Sequence, residues 1–177
     1  MRSATGTGRM HSAAAAYSAA AVGVLYAGIS AYWAAGGTAL LTAVGNAVEP
    51  HARTGAALVA AAWLTVAVKL AVSALGVLAI VRSGSSHRPR RLLRVLTWVA
   101  AIVLMLYGTV LTAVGVAVES GLVCHGAHAD LTALRWHASL WDPWFLLWGL
   151  LLMTGLVLSH PHTAPTTAIP PNRSPRP

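Results

Sequence analysis

Four long apolar runs constrain this chain more than any other feature. They span Ala13 to about Ala35, Ala56 to Val81, Leu92 to Val118, and Pro143 to Leu158. A helix that crosses a bilayer needs about 20 mostly apolar residues, because every backbone polar group must be satisfied within the segment. Three runs meet that length. The fourth is short and is expected to draw in residues from about 139 and to end near 159. Asp142 followed by Pro143 reads as its helix start: the carboxylate accepts free backbone N–H groups, and proline at the first helical position loses no bond. Composition agrees. The chain is 56% hydrophobic and 9% charged, with a mean hydropathy of +0.66, whereas a soluble domain carries about 25% charged residues. The expected fold is all-α, a four-transmembrane-helix bundle built from two helical hairpins over residues 13–159. A cytoplasmic segment, 1–12, precedes it. The proline-rich stretch 160–177 has no apolar periodicity and reads as a disordered tail.

The distribution of arginine orients the spans. Arg2 and Arg9 precede the first, Arg82, Arg88, Arg90, Arg91 and Arg94 lie between the second and third, and Arg173 and Arg176 follow the fourth. Only Arg53 and Arg135 fall on the other side. The positive-inside rule therefore places both termini and the middle connection in the cytoplasm. The first run is too long for a secretory h-region and reads as an uncleaved span. A net charge of +8 would suggest nucleic acid in a soluble chain. Here the basic residues sit between apolar runs, so the expected partners are the lipid bilayer and anionic lipids at the Arg-rich loop 82–94, not nucleic acid. The single cysteine, Cys124, excludes an intramolecular disulfide and a zinc cage of several thiolates.

LTAVGNAVE at 41–49 returns as LTAVGVAVE at 111–119, with eight of nine positions identical. One reading is chance similarity between two alanine- and valine-rich stretches. The other is a parallel internal repeat relating the two hairpins. In the second copy, Gly108, Thr112, Gly115 and Glu119 share a helix face. In the first, Thr38, Thr42, Gly45 and Glu49 do. Small residues let helices approach closely in a membrane, so packing is the favoured role of these stripes. Glu49 and Glu119 then lie at the outer surface.

Lys69 stands near the middle of the second run. About 20 Å of helix separates it from Arg82, farther than a lysine side chain can snorkel. A charge there costs about 2.5–3.5 kcal/mol on insertion scales, so it should face protein or a wet cavity. Ala62, Thr65, Lys69, Ser73 and Gly76 share one helix face, and the apolar Leu64, Ala67, Ala71, Leu75 and Leu78 lie opposite. All four acids, Glu49, Glu119, Asp130 and Asp142, fall near or beyond the outer boundary. Partners at the lysine's depth are therefore expected to be hydroxyls and carbonyls, with Tyr26, Tyr107 and the backbone near Gly28 and Gly108 as candidates. A proton or anion site and a structural tie between helices are both open readings.

The outer segments hold the remaining chemistry. Trp136, Trp141, Trp144 and Phe145, with Tyr32 and Trp33, read as an aromatic belt at headgroup level, anchoring rather than forming a ligand cage. His51, His125, His128 and His137 could approach one another. They show neither HExxH nor CxxCH spacing, so they are weak metal candidates, and no cofactor is expected. Cys124 beside His125 lacks a third group for a catalytic arrangement.

AYWAAGG, LYGTVLTAVG and above all RWHASLWDPWFLLWG resemble small integral membrane proteins of actinobacteria classed as domain of unknown function 3995. The resemblance covers most of residues 13–159. It implies a four-helix bacterial membrane protein and brings no activity. The function expected is a non-enzymatic structural or interaction protein of the cell membrane, acting with other membrane proteins or by self-association. The alternatives are a small transporter or channel using Lys69 and, behind it, a membrane metal or redox protein.

Overall fold

The structure, a computed structural model, describes residues 3–39, 55–81, 87–122 and 135–159, with side chains from 7 in the first segment and from 90 in the third. Four long helices account for nearly all of it: α1 (Ser3–Ala34), α2 (Ala56–Val81), α3 (His87–Glu119) and α4 (Asp142–Leu158). Thr7–Ala34 in α1, Ala56–Val81 in α2, Arg90–Glu119 in α3, and His137–Leu158, which is α4 with the five residues before it, are each long and apolar enough to cross a membrane. The fold is therefore the all-α four-helix bundle that the apolar runs require. No strand occurs among the described residues.

Two helices reach further than the apolar runs alone suggest. α1 begins at Ser3, so most of the segment before Ala13 continues the helix. α3 begins at His87, which puts Arg88, Arg90, Arg91 and Arg94 on helical turns rather than in a loop. Pro89 does not interrupt it, because first-turn N–H groups have no intrahelical acceptor to lose.

The helix ends follow their sequence. Gly36, with φ 97°, closes α1: its N–H donates to the Trp33 carbonyl and that of Gly37 to Tyr32. Gly121, with φ 74°, closes α3 in the same way, with Gly121 donating to Val118 and Leu122 to Ala117. Both are Schellman ends, which need a left-handed residue that glycine adopts without strain.

The start of the fourth span differs from the sequence expectation. Asp142 does not cap a helix there. Residues 135 and 136 are already helical, and His137–Trp141 form a π-helical turn that runs into α4. The Asp142 N–H reaches five residues back to the His137 carbonyl, and no side chain caps α4. Pro143 explains the widened turn: inside a regular helix its ring would clash with the carbonyl four residues earlier, and the π turn relieves that crowding.

α4 is the bundle's centre. Trp148 and Leu152 pack with Ala19 of α1 and Ala101 of α3, and Leu156 packs with Ala16 and Ile80. On α1 the buried residues Ser12, Ala16, Ala19, Gly23, Tyr26, Ala27 and Ser30 recur at helical spacing and form one face. Glycines set how closely the backbones meet. A Cβ on Gly108 would lie 2.5 Å from the Leu146 nitrogen and 2.8 Å from the Asp142 oxygen, and one on Gly149 would lie 2.9 Å from the Ala101 oxygen. Gly115 faces Ala138 in the same manner. The Gly108–Gly115 stripe is thus the α3–α4 contact, in line with a packing role. The earlier copy of the repeat, residues 41–49, lies outside the described residues.

Candidate functional site

Lys69 is half-buried on the face of α2 that also carries the buried residues Val66, Ser73 and Gly76, while Leu64, Ala67 and Ala71 are exposed. The lysine face is therefore the bundle face. Its ammonium donates to the Ser30 hydroxyl at 2.6 Å and lies 3.6 Å from the centre of the Tyr26 ring. Phe145 presents a second ring at 5.9 Å. Ser30 in turn donates to the Tyr26 carbonyl at 3.1 Å, which leaves an oxygen lone pair directed at the ammonium. All three partners come from α1 and α4. No carboxylate approaches the ammonium among the described residues.

Tyr26 is the hub of an aromatic cluster. Its ring stacks on Trp141 at 5.9 Å and 14°, tilts against Trp144 at 5.9 Å, and meets Phe145 edge-on at 4.8 Å. Trp33 meets Trp141 at 5.3 Å, and Tyr107 meets Phe145 at 4.9 Å, both edge-on. The Trp144 indole N–H donates to the Val22 carbonyl at 3.2 Å. The rings bring α1, α3 and α4 together, and the lysine brings in α2. A cage of aromatic side chains round a cation does exist here, and the cation is the protein's own.

Rough magnitudes decide what this contact is for. A central charge costs about 2.5–3.5 kcal/mol. A desolvated cation–π contact returns about 2 kcal/mol, and a hydrogen bond to a charged group about 1.5–3 kcal/mol. Protein contacts alone are large enough to hold Lys69 where it is, without an exogenous anion.

The other singled-out residues divide. Ser73 is buried and donates to the Lys69 carbonyl at 2.8 Å, so it lines the same face without touching the ammonium. Thr65 is exposed and donates to Ala61 of its own helix. Tyr107 reaches the cluster through Phe145. Trp141 is only 2% exposed and lies inside the bundle, Trp33 and Trp144 are half-buried, and Trp136 is exposed. Of the expected belt, Trp136 has the exposure of an anchor, and Trp141 packs as core. Glu119 is exposed at the end of α3. Asp142 is 4% exposed, and its carboxylate lies 3.4 Å from His137 Nδ1. No group of three or more potential metal ligands occurs among the described residues. Glu49, His51, Cys124, His125, His128 and Asp130 lie outside them.

Sequence reading missed Ser30. The signal was available: Ser12, Ala16, Ala19, Gly23, Tyr26 and Ser30 repeat at alternating spacings of four and three, which marks one face of small and polar residues on an otherwise apolar helix.

A family model described as a protein of unknown function, DUF3995, matches residues 23–152. The chain belongs to the DUF3995 family. The matched segment contains Tyr26, Ser30, Lys69 and the aromatic cluster, and it takes in the C-terminal part of α1, all of α2 and α3, and α4 as far as Leu152. No curated protein matches the chain, and no solved structure does.

Proposed function

We propose that this DUF3995 protein is a non-enzymatic structural or interaction protein of the bacterial cell membrane, with both termini in the cytoplasm. The observation that carries the reading is the lysine site. The one cation deep in the spans is satisfied by Ser30, Tyr26 and Phe145, so its charge serves to tie α2 to α1 and α4. The open apolar groove along α1, lined by Val24, Leu25, Gly28 and Ile29, does not reach it. Such a bundle offers its partners shape and apolar helix faces. α3 is the least covered span, with 17% of its most apolar window buried, and other membrane proteins or a second copy are the partners such a face suits.

The competing reading is a small transporter or channel. One observation favours it: the buried Thr112 Oγ1 and Trp148 Nε1 have no hydrogen-bond partner among the described residues, and buried polar atoms without protein partners are places where water enters.

Lys69→Met separates the two. A structural lysine predicts a folded, inserted protein of near-normal stability and unchanged interactions. Transport predicts a folded protein in liposomes whose pH-dependent ion flux disappears on the substitution, and finding that flux in the native protein would overturn the structural reading.

A further inference from the structure

The end of the bundle opposite Lys69's aromatic roof carries cations without acids. Arg94 is held in place: its guanidinium donates to the Ser159 hydroxyl at 3.1 Å and the Leu156 carbonyl at 3.3 Å. It thereby caps the last turn of α4, where unpaired carbonyls favour a cation. Arg90 stands one turn before it on the same face of α3, a like-charge spacing that is repulsive. Arg90 and Arg91 are exposed. Neither has a hydrogen bond or ion pair among the described residues. Asp142 and Glu119 sit at the other end of their helices, and Glu49 and Asp130 lie outside the described residues. Nothing in the described chain neutralises the arginine pair.

The same helix continues as bare hydrocarbon. Val95, Val99, Ile102 and Leu106 follow Arg91 at spacings of four, four, three and four, and are 51%, 52%, 44% and 61% exposed. Arg91 therefore heads an apolar strip about 16 Å long from Val95 to Leu106, which matches the roughly 15 Å of one leaflet's hydrocarbon. A cationic head joined to an apolar track on one helix face complements a molecule with an anionic head and apolar tails.

We propose that Arg90, Arg91 and Arg94 form the headgroup site of one anionic phospholipid, whose chains lie along the Val95–Val99–Ile102 face of α3. Arg94, fixed on α4, positions the phosphate. Arg90 and Arg91 supply the free donors, and the bound anion removes the repulsion between Arg90 and Arg94. The site needs the protein to be a membrane bundle. It needs neither the structural role given to Lys69 nor a particular orientation.

The test uses the full chain purified in a neutral detergent, with lipid binding followed by native mass spectrometry. Phosphatidylglycerol should bind in preference to phosphatidylcholine. Arg90→Gln with Arg91→Gln should weaken phosphatidylglycerol about 30-fold, at roughly 1 kcal/mol for each arginine near an anionic surface. Phosphatidylcholine binding by the same variant should be unchanged, which shows that the bundle is intact. Arg135→Gln, exposed at the other end, should have no effect. Equal binding of the two lipids overturns the proposal, as does undiminished phosphatidylglycerol binding by the double variant. Inorganic phosphate that displaces the lipid at comparable concentration would show a free-anion site instead. A chain that purifies without detergent would fail the membrane reading itself, a separate result.

Discussion

Lys69 shows how a ring face and a hydroxyl can hold a charge at depth in a membrane protein, with no carboxylate beside it among the described residues. Its ammonium has a hydroxyl oxygen at 2.6 Å and a ring face at 3.6 Å, and the ring's polarised face does the work that a carboxylate does elsewhere. Substitutions separate the contributions. Lys69→Met removes both the cost of the charge and its contacts while keeping most of the volume, so unfolding stability in detergent should change by less than about 1.5 kcal/mol. Tyr26→Phe keeps the ring and should be nearly silent at this site. Tyr26→Leu loses the face beneath the ammonium and the stacking on Trp141. It should destabilise by about 3 kcal/mol, within the range for deleting a buried aromatic ring, and most of the loss from the ammonium contact should vanish when Lys69→Met is already present. Additive effects in that double-mutant cycle would show that lysine and ring do not interact. The sequence allowed the bundle-facing side of Lys69 to be anticipated, because it follows from helical spacing. The ring face as main partner was not legible: which atoms of α1 meet α2 depends on the rotation of both helices, and apolar stretches specify that rotation weakly.

At the scale of the helix, close approach is set by glycines whose neighbours are backbone. Gly108 has the Leu146 nitrogen at 2.5 Å from any added Cβ, so Gly108→Ala must push α3 away from α4. It should cost about 1–3 kcal/mol, the usual range for overpacking a fitted contact. Gly28 has nothing within 4 Å of such a Cβ, and alanine should be neutral or slightly stabilising there, because glycine weakens a helix interior. Thermal unfolding of the two variants in one detergent checks the contrast, and equal effects would mean that α3 does not contact α4 through Gly108. Element existence was plain from the apolar runs. Asp142–Pro143 misled for a physical reason. An acid followed by proline favours a helix start, and the same pair also fits inside a longer helix when a π turn makes room for the ring. The local sequence permits both, and packing of Ala138 and Trp141 against the bundle selects the second.

The whole molecule is asymmetric in charge, and that asymmetry predicts its orientation. Each of the described helices α1 to α4 reverses the direction of the one before, since neighbouring contacts pair Ser30 with Lys69, Thr97 with Leu75 and Arg94 with Ser159. An even number of crossings leaves both chain ends on one side. Arg9, Arg90, Arg91 and Arg94 lie at that side, with Arg88 in the first turn of α3, and Arg82 follows α2 directly in the sequence. Moving arginine across the bilayer during insertion is unfavourable, and retention of positive charge in the cytoplasm biases the first hairpin and then the second in the same sense. Reporter fusions after residues 45, 86, 128 and 177 should therefore read outside, inside, outside and inside. The position after 86 is the most informative, because it lies amid the densest positive charge. Replacing Arg82, Arg88, Arg90 and Arg91 together by glutamine should weaken the bias and give a mixed signal there, while the same number of substitutions among exposed apolar residues of α3 should not. An outside signal after 86 in the native chain would reverse the assigned orientation. It would leave the bundle, the Lys69–Tyr26 contact and the arginine site intact, since each depends on how the helices pack and not on which side they face.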